Sequence, residues 1–236
     1  VVMMSAPYAG TPNINSSLKY EDPIHKELEK LDPPRKHYQW YYSTIEANID
    51  MHLEKQELHK FLRAYYHMKS ADWKENSPYQ LNSWDAENLA KMPKYYIMHL
   101  NENMVQSVMP HYPTSKCYDS WLNDQELEVY TNSFFKNSFQ PALNWYRCMT
   151  SNSLNSDLRV FSNKKIEVPS CFIAGEKDWG IYQKPGALDK VENNLCSNYK
   201  GRHIIQNAGH WVQQENPFDV AQTLIDFYKN NNFFQE

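Results

Sequence analysis

Apolar positions along the chain change their spacing near residue 165, from a helical to a strand-like period. Upstream, the segment 55–69 carries apolar residues three and four positions apart, which predicts a helix with one buried face. Downstream, the short apolar run 168–174 and the segment 202–205 are each followed by glycine within a few residues, which is typical of strands. We therefore expect a helical middle segment followed by strands that alternate with helices.

Helix start signals divide the segment 37–161, which we predict to be helical. Asn123 is followed three residues later by glutamate, the pattern of a capping box, and Pro141 stands where a helix begins. Ser83 is a candidate cap for a short helix, and the spacing of apolar residues over 96–109 predicts one more.

The two ends of the chain carry the strand–helix alternation of a parallel sheet. The apolar run 1–6 precedes a proline and glycine turn signal, so it predicts a first strand, and the polar segment 11–35 reads as irregular chain leading away from it. Helices predicted at 187–195 and from Pro217 onward follow the two later strands at the spacing of parallel units. The fold class predicted is α/β, and the chain is expected to begin in the middle of the fold.

Composition narrows the classes of function. The net charge of −4 without a Lys/Arg cluster argues against nucleic acid as a partner. No apolar stretch approaches the roughly 18 residues of a membrane span. The four cysteines lack the spacing of metal ligands, so we expect neither metal nor cofactor. We expect buried thiols, including those of Cys148 and Cys171, in a reducing compartment, the cytoplasm.

Two loops that follow predicted strands carry the candidate chemistry. Asp178 lies three residues after Gly175, and His210 directly follows Gly209. Functional side chains gather at the carboxyl ends of the strands in open α/β sheets. An acid and then a histidine on consecutive strand ends is the order in which many hydrolases carry the last two members of their triad. An aspartate on one ring nitrogen orients the imidazole so that the other can take a proton.

Four segments together resemble the epoxide hydrolases of the α/β-hydrolase fold. They are the tyrosine segment 37–42, the Asn-Trp-Tyr-Arg segment 141–147, and the acid and histidine loops at 178–180 and 209–211. The resemblance implies a partial α/β-hydrolase fold, namely its last parallel strands and helices, with an inserted all-helical cap. The implied boundaries are 1–12 for a core strand, 13–163 for the cap segment and 164–236 for the C-terminal part of the core.

The resemblance also implies roles for individual residues. Tyr38 and Tyr146 point from the cap into the site, where their hydroxyls hydrogen-bond the oxygen of a small apolar epoxide and supply a proton as the ring opens. His210, held by Asp178, activates water to cleave a covalent ester intermediate and release a vicinal diol.

Aromatic residues beside these positions are candidates for the substrate pocket. We expect Trp40, Trp145 and Trp211 to line it. Tyr41 and Tyr42 compete with Tyr38 for the role of proton donor, because they lie in the same aromatic segment.

The chain departs from the family in lacking a nucleophile. Neither the G-x-D-x-G elbow nor the H-G-x-P loop occurs, and G-x-S-x-G is absent as well. In the family these motifs precede the strand that here begins at Val1, so we expect the N-terminal half of the core to be the missing partner. Two alternatives stay open: another hydrolase on this fold, a dehalogenase or an esterase, or a truncated chain without catalytic activity.

Overall fold

A computed structural model describes residues 1–15 and 22–231. The strands are β1 (Val2–Met4), β2 (Arg35–His37), β3 (Ile97–His99), β4 (Ser170–Gly175) and β5 (Tyr199–Ile205). The α-helices are α1 (Ile24–Glu29), α2 (Tyr38–Tyr42), α3 (Glu46–Met51), α4 (Lys55–Lys69), α5 (Ala86–Leu89), α6 (Met104–Val108), α7 (Asp124–Asn137), α8 (Gln140–Thr150), α9 (Ala187–Lys190), α10 (Val212–Glu215) and α11 (Pro217–Asn230).

The predicted parallel sheet is confirmed. Its strands lie in the order β1-β4-β5, with β4 paired in parallel on both sides. Alternate residues of β4 enter two different apolar clusters. Cys171 and Ile173 pack toward α11, whereas Phe172 and Ala174 pack toward α9. A strand covered on both faces needs apolar residues at every position, which explains its unbroken apolar run.

The first strand lies at one border of this sheet. Met3 pairs with Phe172 of β4, and within residues 1–15 and 22–231 no strand pairs with the other edge of β1. Free backbone donors and acceptors on a parallel strand are a pairing surface for a further strand. The described part of the chain therefore has an open sheet edge at β1, on the side where the N-terminal half of the core is expected.

The cap segment forms an aromatic-rich cluster of its own. Helices α1 to α8 contribute most of its buried side chains, and Trp179 of the later core joins them. The predicted helix at 55–69 is confirmed as α4, and the capping box at Asn123 is formed in α7. Gln140 and Pro141 begin α8, close to the predicted start. The domain boundaries after residues 12 and 163 stay predictions.

The prediction of helix throughout 37–161 is wrong in one place. β2 and β3 form a small antiparallel sheet in which His37 pairs with Ile97. The predicted helix at 96–109 is thus a strand followed by α6, which Asn103 caps. Ile97 is buried, and a short apolar run has the same spacing in a buried strand as in a helix, so periodicity does not separate the two.

Three smaller predictions also need correction. The segment 11–35 contains α1, whose Ile24 and Leu28 are buried one turn apart; residues 16–21 of that segment lie outside the described residues. Asp85 rather than Ser83 caps α5, because its carboxylate accepts the Asn88 N–H.

The expectation of a buried thiol is wrong for Cys148. Its thiol is exposed, because it lies on the outward face of α8, a helix in which Leu143 is the one fully buried side chain. Cys171 and Cys196 are buried and free.

Candidate active site

Asp178 is placed by the loop that follows β4. It is the N-cap of a 3₁₀ helix, Trp179–Ile181, and its Oδ1 accepts a hydrogen bond of 2.7 Å from the Gly180 N–H. The carboxylate is 1% exposed. A hydrogen bond within its own loop therefore orients the Asp178 side chain.

His210 is placed by contacts with α4 and α10. Its backbone N–H donates to the carbonyl oxygen of Lys69 over 2.9 Å. A Cβ on the preceding Gly209 would lie 2.6 Å from that same carbonyl oxygen, so only glycine lets the loop approach the end of α4 this closely. The position of His210 thus depends on residues far away in the sequence.

The structure brings Asp178 and His210 together, with 3.0 Å between Oδ1 and Nδ1. A carboxylate accepts, so the neutral imidazole carries its proton on Nδ1 and leaves Nε2 free to take another. Burial lowers the pKa of His210, the charge of Lys69 lowers it further, and Asp178 acts in the opposite direction. The imidazole is therefore neutral at neutral pH and has the state of a general base.

Tyr38 begins α2 and faces the core. His37 caps this helix by accepting the Gln39 N–H at Nδ1, and burial lowers the pKa of His37 to about 3, which keeps the ring neutral. The Tyr38 hydroxyl donates to Oε1 of Gln183 over 3.1 Å and accepts from Gln39 over 3.2 Å. Gln183 lies five residues after Asp178, so the hydroxyl reaches the acid loop.

Tyr146 meets Tyr38 from the opposite helix of the cap segment. The two ring centres are 5.8 Å apart in an edge-to-face arrangement. Ser43 at the end of α2 and Thr150 at the end of α8 share a hydrogen bond of 2.8 Å, which ties the helices together. Burial raises the pKa of Tyr146, and a hydrogen bond with Tyr38 acts in the opposite direction.

The two competing tyrosines have different surroundings. The hydroxyl of Tyr41 donates to Asp50 over 2.8 Å, away from the candidate pair. Tyr42 packs its ring 5.0 Å from that of Tyr146, and burial raises its pKa well above the ordinary value. Tyr41 is therefore engaged elsewhere, whereas Tyr42 belongs to the same aromatic cluster as Tyr38.

The three tryptophans that were predicted to line a pocket lie in three different surroundings. Trp145 is 74% exposed, so the prediction is wrong for it, because it lies on the outward face of α8. Trp40 packs on His25 and His37 instead of facing the tyrosine pair. Trp211 does border the site, where its ring lies 4.9 Å from that of His210.

Sequence reasoning missed two ionisable residues at the site. Lys69 is buried at the end of α4, on the same face as Phe61 and Tyr65, which precede it at intervals of four residues. A lysine within the apolar stripe of a helix is the feature of the sequence that could have indicated a buried charge. The carboxylate of Glu215 accepts three backbone N–H groups, those of Ala71, Gly209 and Trp211.

The described residues contain no group of three His, Cys, Asp or Glu side chains arranged to hold a metal ion. None of the helices within 1–15 and 22–231 has the length and apolar character needed to cross a bilayer.

No protein-family model matches the chain. It is 31% identical over 108 residues to epoxide hydrolase B of Mycobacterium tuberculosis (strain ATCC 25618 / H37Rv), covering 46% of this chain and 30% of that protein. It is 35% identical over 109 residues to epoxide hydrolase A of the same strain, covering 46% and 32%. The matched part is thus less than a third of these relatives' length.

Solved structures resemble the chain over nearly all its length. An epoxide hydrolase from an endophytic Streptomyces superimposes with a TM-score of 0.71 at 20% identity, covering 97% of this chain and 60% of that one. Epoxide hydrolase A from Mycobacterium thermoresistibile gives 0.64 at 20% identity, covering 97% and 60%. The neighbours of this chain in sequence and in structure are therefore epoxide hydrolases of the α/β-hydrolase fold, and the chain has part of that fold, a small parallel sheet with many helices.

Proposed function

We propose that the complete protein to which this chain belongs hydrolyses epoxides to vicinal diols through a covalent ester. The observation that carries the proposal is the contact between cap segment and core: the Tyr38 hydroxyl reaches the loop of Asp178 through Gln183. A proton donor for an epoxide oxygen and a His–Asp pair that activates water thereby face one site.

Ring opening is the first step of this proposal. A carboxylate supplied from outside these residues attacks an epoxide carbon, the C–O bond breaks, and the oxygen takes a proton from Tyr38 or Tyr146. Burial raises the pKa of Tyr38 well above its ordinary value, with Tyr146 adding to the effect, so the hydroxyl is protonated at neutral pH. Donors that meet the developing alkoxide lower the barrier.

Hydrolysis of the ester is the second step. Nε2 of His210 removes a proton from water, and the hydroxide attacks the ester carbonyl carbon. Asp178 stabilises the imidazolium, which then returns its proton to the departing alkoxide so that the diol leaves. The carboxylic acid formed in this step loses its proton to the tyrosinate left by ring opening, which regenerates the carboxylate and the tyrosine hydroxyl. The lowered pKa of His210 supports this role, because the base is neutral at physiological pH.

Several finer features belong to the same proposal. The substrate is a small apolar epoxide with water as co-substrate, and no cofactor takes part. The remaining N-terminal half of the core pairs with β1, and the protein acts in the cytoplasm. The buried free thiols of Cys171 and Cys196 are consistent with a reducing compartment.

The test compares the complete protein with residues 1–236 expressed alone, using a small aryl epoxide, a haloalkane and an activated ester as substrates. We expect diol formation by the complete protein only, since residues 1–236 hold no nucleophile motif. Hydrolysis of the haloalkane or the ester without diol formation would show a different hydrolase. Absence of all three activities in the folded complete protein would favour a non-catalytic role.

A further inference from the structure

Lys69 is a buried ionisable residue of the site that has no role in the proposed reaction so far. Its side chain is 5% exposed although it carries an ammonium group. Five aromatic rings surround the Nζ atom, with ring centres at 5.0 Å (Tyr96), 5.3 Å (Tyr65), 5.5 Å (Tyr95), 5.7 Å (Trp211) and 6.0 Å (Tyr38). Aromatic faces attract a cation, so this cage holds the charge in place.

Within residues 1–15 and 22–231, no carboxylate forms an ion pair with the ammonium of Lys69. Asp178 is the carboxylate that acts on it electrostatically. The cage therefore holds a positive charge that no ion pair neutralises, and such a charge acts over several ångströms at a buried site.

The backbone of Lys69 touches His210 as well. Its carbonyl oxygen accepts the His210 N–H over 2.9 Å, and the close approach of Gly209 holds the two segments together. One residue thus holds the loop that carries the histidine and also supplies a charge that acts on its ring.

We propose that Lys69 is a positioning residue whose caged ammonium keeps His210 neutral, in the form that a general base requires. Asp178 stabilises the imidazolium and by itself would favour a histidine that is already protonated before water arrives. The ammonium of Lys69 disfavours the imidazolium through like-charge repulsion, whereas Asp178 favours it. Together the two neighbours keep His210 unprotonated before the reaction, and Asp178 stabilises the ring once it has taken a proton from water. The role rests on the function proposed above for His210.

The charge on Lys69 is present in the range where His210 titrates. Burial lowers the pKa of Lys69 to about 8, and Asp178 acts in the opposite direction. The pKa of His210 is lowered from 6.5, so the lysine is still protonated there. The ionisable groups that face the two residues are Asp178 and four tyrosines, Tyr38, Tyr65, Tyr95 and Tyr96, and burial keeps these tyrosines protonated in this range. Glu215 accepts the N–H groups of Gly209 and Trp211 on either side of His210, and burial raises its pKa to about 7, so its titration is followed beside that of His210.

The test measures His210 in the complete protein by NMR titration of its ring, assigned with the His210→Gln variant. Lys69→Met keeps the length of the stem and removes the charge; we expect the titration midpoint of His210 to rise by about one pH unit. Lys69→Arg keeps the charge and should leave the midpoint near the wild-type value. Lys60→Met, an exposed lysine of the same helix, is the matched control and should change nothing.

Turnover gives a second reading. The acid limb of the kcat/KM profile reports the free enzyme's base, so it should move upward with the NMR midpoint in Lys69→Met. An unchanged midpoint in a folded Lys69→Met protein, or equal shifts in the Met and Arg variants, would overturn the proposal. The NMR titration needs no turnover, so a protein without epoxide hydrolysis still tests the effect of Lys69.

A measurement on the unaltered protein covers the case in which Lys69→Met does not fold. The Nζ of Lys69 should titrate near pH 8, well below the exposed lysines. If Lys69 instead titrated together with the exposed lysines, at about pH 10.4, its ammonium would be hydrated and not enclosed by the aromatic cage. That result would overturn the proposal.

Discussion

The core pair and the cap tyrosines of the candidate site are held in different ways. Asp178 and His210 lie on loops after two neighbouring parallel strands, and each makes a contact with the other that no nearby residue duplicates. Tyr38 and Tyr146 lie within a cluster of tyrosines that also contains Tyr42 at 5.0 Å from Tyr146. The core pair is therefore unique, whereas the cap contains neighbours of the same chemistry.

This difference predicts how each part responds to substitution. Loss of a unique group removes a step of the reaction, while loss of one member of a cluster leaves other donors near the same point. The four predictions below test this contrast in the complete protein.

The largest effect is expected for His210→Gln. Without a base for water, ester hydrolysis should slow by about 10⁴-fold, because general base catalysis contributes up to that factor. Ring opening does not need His210, so the covalent ester should accumulate and add the mass of the epoxide to the protein. Mass spectrometry after mixing with epoxide checks this. Full turnover, or slow turnover without an adduct, would contradict the assignment of His210.

A smaller effect is expected for the cap tyrosines taken singly. Tyr38→Phe or Tyr146→Phe should each slow ring opening by roughly 10- to 100-fold, since one donor remains, and the double variant by about 10²- to 10⁴-fold. Pre-steady-state formation of the ester measures this step. Wild-type turnover by the double variant would rule out both tyrosines as the proton donors.

A modest effect on stability is expected for Glu215→Gln. Burial raises the pKa of Glu215 to about 7 from 4.5, against the lowering effect of its backbone hydrogen bonds, so the folded protein binds this proton more tightly than the unfolded chain does. The contribution of Glu215 to the free energy of unfolding is therefore largest below pH 4.5 and falls as the pH rises to about 7.

The amide variant lacks this part of the pH dependence, and it loses about 1–3 kcal/mol by leaving backbone donors of the histidine loop without an acceptor. Urea unfolding at several pH values measures both quantities, with the exposed Glu29→Gln as control. Parallel stability curves for Glu215→Gln and wild type would show that Glu215 does not titrate in this window.

The smallest effect is expected for Tyr41→Phe. Its hydroxyl donates to Asp50 and lies outside the candidate pair, so turnover should stay at the wild-type level. Stability should fall by about 1 kcal/mol through the lost hydrogen bond. Thermal unfolding and diol formation are the two measurements. A 10-fold loss of turnover would move the proton-donor role toward Tyr41.

The part of the fold predicted most accurately from sequence is the parallel sheet. Both faces of the apolar run at β4 are buried. A short apolar run that ends at a glycine forms few structures other than a buried strand. The cap segment was predicted less accurately, because aromatic residues there are buried in strand and helix alike. The small sheet at His37 and Ile97 was missed because a short apolar run has the same spacing in a strand as in a helix, and the helix at Ile24 was missed because its segment is polar and contains prolines.

The sequence by itself determined the strand–helix alternation of the parallel sheet, the α/β class and the proximity of Asp178 and His210, because parallel neighbouring strands bring their carboxyl ends to one edge. Tertiary structure alone decided which aromatic residues face the site, turning Trp145 outward and Trp211 inward. It also brought the backbone of Lys69 against His210, 141 positions later in the chain. The local spacing of apolar residues indicates which face of one element is buried. A caged charge requires side chains from several elements, and their contact depends on tertiary packing that local spacing does not encode.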